Sequence, residues 1–254
     1  MTLPVLWDKI EKQEGRMQSA VPQAPGNKIR NRERKMMLEA YRAVLEGGEG
    51  EITEKKSRFI ATVRPVESED EALAFIEEMR KKYWDARHNC FVYSVGLNRE
   101  YTRCSDDGEP SGTAGRPMLD VILGEDLYNV AVVVTRYFGG VLLGTGGLVR
   151  AYSQAVQEGL KASRVIEKKH GISLKVTIDY GGIGKIQYIA GERKIPILNS
   201  EYTDKVVLEL MVPADEAEPV QKAITEGTNG RARMEKTGDS YFAVLDGEVY
   251  TFRS

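Results

Sequence analysis

The stretch that most constrains this chain is TRYFGGVLLGTGGLVRAY at 135–152, which follows the apolar run VAVVV at 130–134. A short, unbroken apolar run of this kind reads as a buried strand. From 148 to 162 the apolar spacing becomes helical, with Tyr152, Ala155, Val156 and Leu160 on one face. Between the two stand five glycines in nine residues: Gly139, Gly140, Gly144, Gly146 and Gly147. Glycine permits positive φ and close backbone approach. A strand, glycine loop and helix in this order aim free N–H groups and the positive end of a helix dipole at an anion. Arg136 and Arg150 bracket the loop, and guanidinium recognises phosphate bidentately. Tyr137 and Phe138 beside Arg136 suit stacking on an unpaired base, or core packing of one of the two rings. The named nucleotide signatures are absent. Gly139 and Gly144 have the outer spacing of a phosphate loop, but Thr145-Gly146 stands where Lys-Ser/Thr is required, and Val149 stands where a dinucleotide fingerprint needs Gly or Ala.

Other segments order around this one. Residues 52–66 read as one strand ended by Pro65. Ser68 with Glu71 signals a helix start. HNCFVYSVGL at 88–97 reads as a strand, 98–117 as a turn-rich stretch, and 118–123 as a short helix. Beyond residue 171 the pattern is strand (172–180), helix (183–192), strand (195–198), strand (205–212), helix (215–227) and an extended segment within 231–237. This β-α-β-β-α-β order is that of a ferredoxin-like fold.

A second motif is SDDGEPSGTAGRP at 105–117, with Ser105, Asp106, Asp107, Glu109, Ser111 and Thr113. Three carboxylates in four positions suit Mg²⁺ ligation or acid/base work. The same residues also make an ordinary surface turn, or a structural salt-bridge network with nearby arginines. Arg87 and His88 precede the second strand; His88 is a candidate base or phosphate contact, or a structural hydrogen-bonding residue. His170 is expected in a linker. Cys90 is expected in the core, and Cys104 beside the acidic loop is disfavoured as a thiolate.

Composition narrows the function classes. Two Cys and two His in the chain argue against a disulfide framework and a zinc site, so no metal or cofactor is assigned and a reducing cytoplasm is expected. No run approaches the ~18 apolar residues of a membrane helix. The formal net charge is −2, yet residues 1–36 hold eight Lys/Arg against four acids, a net +4, leaving −6 for the remainder. Any meeting with nucleic acid must therefore use a local surface. Residues 1–46 are read as a flexible basic extension, with Met36 or Met37 as an alternative natural start; 47–168 and 169–254 are read as two folded domains.

Four segments, GGEGEITEKKSRFIATV (47–63), ARHNCFVYSVG (86–96), SDDGEPSGTAGRPML (105–119) and VVVTRYFGGVLLGTGGLVRAY (132–152), resemble the IMPACT family. The resemblance implies an α+β protein: an N-terminal ribosomal protein S5 domain 2-like α/β domain, followed by a ferredoxin-like domain akin to the last domain of translocating elongation factors. Eukaryotic relatives are translation regulators, which implies an association with translation and binding of RNA or the ribosome. The expected function is a translation-associated regulator, monomeric and without a membrane partner, that binds RNA or the ribosome through the Arg136–Arg150 loop. The rival is a Mg-dependent enzyme acting on a phosphorylated small molecule or nucleotide.

Overall fold

A computed structural model describes residues 38–252, so residues 1–37 of the expected extension lie outside the described residues. In chain order the first elements are β1 (Ala40–Glu46), β2 (Glu49–Glu54), β3 (Ser57–Pro65), α1 (Glu69–Lys82), β4 (His88–Val95) and β5 (Tyr101–Ser105). Next come α2 (Gly115–Gly124), β6 (Leu127–Tyr128), β7 (Val130–Tyr137), α3 (Thr145–Lys161) and β8 (Arg164–Ile178). The chain continues through α4 (Ile183–Glu192), β9 (Ile197–Tyr202), β10 (Val206–Pro213), α5 (Ala217–Gly227), β11 (Arg233–Leu245) and β12 (Glu248–Phe252).

Strands β2-β3-β7-β4-β5 form one antiparallel sheet. Val130, Val132 and Val134 face α2 and α3, packing with Met118, Ile122, Leu148, Tyr152 and Val156. Ala131 and Val133 face α1, packing with Phe75, Ile76 and Met79. A central strand covered on both faces has no polar side, which is why the run at 130–134 is unbroken. The α1 start is as expected: Glu71 N–H donates to the Ser68 hydroxyl at 3.2 Å. The Glu71 carboxylate accepts from Glu67 N–H, one residue ahead of the cap.

The second sheet is built on β8, whose 15 residues span ~50 Å. Its first part pairs with β1 (Lys169 opposite Ala40) and its second with β10 (Ile178 opposite Val206); β11 runs along its other edge. In the C-terminal part the strand order is β11-β8-β10-β9, with α4 and α5 packed on one face. That is the split βαβ arrangement of a ferredoxin-like domain, so the α+β, two-part reading holds.

Four sequence expectations need correction. Residues 40–46 are not part of a flexible extension: β1 pairs with β8 and β6 and buries Tyr41, Ala43 and Val44. No linker stands at 168–169, and His170 lies inside β8, its N–H bonded to Glu39 O at 2.8 Å. The segment 52–66 belongs to a hairpin, because Lys55 and Lys56 both take positive φ and turn the chain. The stretch 98–117 holds a further strand, β5, along the sheet edge.

Candidate functional site

At one end of the five-stranded sheet β3 and β4 begin while β5 and β7 finish. His88 stands opposite Arg136 and Phe59 opposite Arg136 across the two ladders. The β2–β3 turn, the 105–114 loop and the 138–144 loop therefore gather at this end.

The acidic loop is organised from within. Asp106 accepts backbone N–H bonds from Gly112 (2.8 Å), Ala114 (2.9 Å) and Gly115 (2.8 Å). It thereby supplies the anion at the start of α2, where no side chain of the N-cap residue does so. Burial alone raises its pKa, but the three N–H donors outweigh that and hold it below the usual carboxylate range. The sign follows: the unfolded carboxyl binds its proton first as pH falls through ~4, so folding stability falls there. Asp106→Asn is expected to flatten this acid limb in urea melts between pH 3 and 6; an unchanged limb overturns the assignment.

Asp107, at φ +41°, accepts from Asn89 N–H at 2.7 Å, and its carbonyl accepts from His88 Nδ1–H at 2.8 Å. Ser105 Oγ accepts from Asp107 N–H, and Thr113, buried, donates to Pro110 O. Ser111 is exposed. The structural reading of His88 is thus supported, with Nε2 left over.

Glu109 is turned inward. Its Oε1 accepts from Arg136 Nη1 at 2.6 Å and from the Tyr152 hydroxyl at 2.8 Å, with side-chain exposures of 3% for Glu109 and 7% for Arg136. The Arg136 guanidinium lies 5.3 Å from the Phe59 ring centre and 5.7 Å from that of Phe138. The Cys90 thiol is 3.3 Å from the Tyr152 hydroxyl and 3.0 Å from Asp106 O. Burial pushes both the Cys90 thiol and the Tyr152 hydroxyl far up. Burial, then Asp106, also raises Cys104, in line with its expected inertness. Arg136 is therefore not the solvent-facing phosphate contact that the sequence suggests; its Nη1 is occupied by Glu109 because the acidic loop closes over the end of β7. This is the salt-bridge network weighed as the third reading. Among the described residues no group of three or more His, Cys, Asp or Glu side chains is arranged to hold a metal ion.

The glycine loop lies outside this closed layer. Gly139 N–H donates to Ser57 Oγ at 3.1 Å, and a Cβ there would collide with the Lys56 backbone. Glycine is thus required by close approach to the hairpin turn. Gly144, at φ +72°, precedes α3, and no side chain caps that helix; Gly140 is also at positive φ. Gly146 and Thr145 are exposed and Gly147 is half-buried. Arg150, exposed, places its guanidinium beside Gly146. Tyr137 is half-buried, its hydroxyl donating to Asp85 and the Arg58 guanidinium near its ring, so the freer ring is Phe138, 45% exposed. Lys55, Lys56 and Arg87 are exposed with no ion pair among the described residues. The sequence reading missed Lys55 and Lys56 as site residues, although they lie in the 47–63 segment and the fold carries them to the loop. It also gave Tyr152 only a place on the apolar face of the helix.

These features define a two-part α+β protein whose N-terminal sheet presents a cationic, glycine-built end above a closed polar layer. Residues 55–160 match the Impact N-terminal domain, and residues 176–231 match a domain of unknown function, DUF1949. The chain is 42% identical over 200 residues to the IMPACT family member YvyE of Bacillus subtilis (strain 168), covering 79% of this chain and 92% of that protein. It is 34% identical over 182 residues to YigZ of Escherichia coli (strain K12), covering 71% and 89%. A crystal structure of a hypothetical protein superposes with a TM-score of 0.51 at 32% identity, covering 78% of this chain and 97% of that one. The chain belongs to the IMPACT family. No helix of the described residues is long and apolar enough to cross a membrane.

Proposed function

We propose that this protein acts in translation by binding RNA, on or off the ribosome, through the loop end of its five-stranded sheet. The observation that carries this reading is the continuity of the exposed elements there. Lys56 backs onto Gly139, Phe138 stands exposed beside it, and the loop runs into an uncapped helix start flanked by Arg150. Cations and backbone N–H groups hold phosphate, and an exposed ring stacks on a base. In this reading Arg136 positions rather than contacts: it ties the acidic loop to β7 and lies beside Phe138. The carboxylates of Asp106, Asp107 and Glu109 each accept hydrogen bonds from protein groups, which favours the RNA reading over a magnesium-dependent reaction.

The test is RNA retention by the full chain across a salt series. Lys56→Ala/Arg150→Ala is expected to weaken binding of single-stranded RNA and to reduce the log–log salt slope by ~1.4, at ~0.7 per phosphate contact. Retention equal to that of the unaltered chain overturns the site.

A further inference from the structure

The ferredoxin-like part carries a second charged surface, away from the loop end. Its sheet buries Leu174, Val176, Ile178, Leu208 and Leu210 against α4 and α5. Residues of the opposite parity, Lys175 and Thr177 on β8, Arg233 and Glu235 on β11, and Val207 and Glu209 on β10, project from the other face, with Lys175 between Glu235 and Glu209 in register. Arg233 pairs with Thr177 and Glu235 with Lys175 across the ladder. Lys205, from the β9–β10 turn, and Arg231 and Asp179 complete a cleft of about 350 Å³. Arg231 is bonded to Asp179 at 3.0 Å. Lys175, Lys205 and Arg233 are exposed and make no ion pair among the described residues. The cleft thus holds four cations against two carboxylates, on a folded part whose charge is otherwise negative.

We infer that this open sheet face binds the phosphodiester backbone of an RNA strand without regard to base sequence. Arg, Lys and Thr side chains are the ordinary donors to phosphate oxygens. Among the described residues no aromatic ring lines the cleft, so none of them stacks on a base there and the surface reads charge alone. An acidic peptide is the weaker fit, because protein interfaces depend on an apolar or aromatic anchor in a pocket. Among the described residues the one apolar side chain lining the cleft is Ile178, which is itself buried. The inference does not depend on the loop-end site, which lies on the other sheet.

The experiment is fluorescence anisotropy of the full chain with labelled 20-nucleotide oligo(U) and oligo(A) over a salt series. Lys175→Glu/Arg233→Glu is expected to weaken both oligomers equally, by roughly tenfold at low salt, and to lower the slope by ~1.4. Lys175→Gln/Arg233→Gln should fall between that variant and the unaltered chain. Lys185→Glu/Lys222→Glu carries the same charge change on α4 and α5, across the sheet, and should alter binding less than about twofold. Equal losses in the cleft and helix-side variants overturn the inference, as does competition by polyglutamate as effective as that by unlabelled oligo(U). If only Lys56→Ala/Arg150→Ala weakens binding, the cleft fails and the loop end stands. If only the cleft variants do, the reverse holds.

Discussion

Glu109→Ala is expected to destabilise the fold by about 3–5 kcal/mol, a large share of the ~5–15 kcal/mol that holds a domain of ordinary size. The cost arises on the partner that stays. Arg136 is 6% exposed and one of its guanidinium nitrogens, Nε, already has no hydrogen-bond partner. Removing Glu109 strips Nη1 as well, leaving a cation between Phe59 and Phe138 with no counter-ion there. Tyr152 also loses its acceptor. Arg136→Met is expected to cost a comparable amount, because a nearly buried carboxylate is then stranded. The double variant Glu109→Leu/Arg136→Met removes both charges and should cost far less than the two single changes together, since an ion pair replaced by apolar groups of similar volume is often close to neutral. Urea unfolding of the parent, Glu109→Leu, Arg136→Met and the double variant measures this cycle, with Glu109→Ala as the separate truncation. Single variants within about 1 kcal/mol of the parent refute a tightly coupled buried pair. The double variant also separates two roles for Arg136. If Arg136 only positions the loops, the folded double variant keeps its RNA affinity; if it touches phosphate, affinity falls although stability is restored.

The same pair shows where sequence reading stops. Glu109 and Arg136 stand 27 residues apart, and what brings them together is the β4–β7 register and the return of the acidic loop. Neither is visible in local spacing, so Arg136 beside a glycine loop looks like a phosphate contact. Patterns set by burial were legible. Continuous apolar residues marked β7 because it is covered on both sides, and alternation at 174, 176 and 178 marked β8 because one face packs on helices. Elements with little to bury were not. Of the residues of β5, none is buried, so its composition matches that of a loop, and Lys55-Lys56 turns a hairpin without the glycine or asparagine that usually announces one. β12 does carry a local signal, because Asp246-Gly247, both at positive φ, is an ordinary hairpin signature. For β1 the basic residues preceding it obscured the signal: Tyr41, Ala43 and Val44 are too few to stand out beside a charge-rich stretch.

A chain beginning at Gly47 is expected to be at least ~5 kcal/mol less stable than one beginning at Met37, enough to abolish cooperative folding in a domain of ordinary stability. The difference between these two chains isolates β1 with its short lead-in. Burial of Tyr41 and Val44 is worth ~1.5–3 kcal/mol each, and both are under 10% exposed. The Tyr41 ring meets the edges of Tyr241 at 4.9 Å and Tyr128 at 5.8 Å, contacts worth ~0.5–1.5 kcal/mol apiece. The Tyr241 hydroxyl donates to Leu38 O at 2.9 Å, a bond also lost. Without β1 the Arg164–Lys169 stretch of β8 loses a ladder partner and β6 loses the strand it pairs with. Because β8 runs on into the ferredoxin-like sheet, the damage should not stay local. Hydrogen exchange is expected to quicken across residues 164–169 and 127–128, and urea unfolding to lose its single steep transition. Equal midpoints for the two chains refute the claim that β1 belongs to the folded core, and place the start of the first domain at 47 after all.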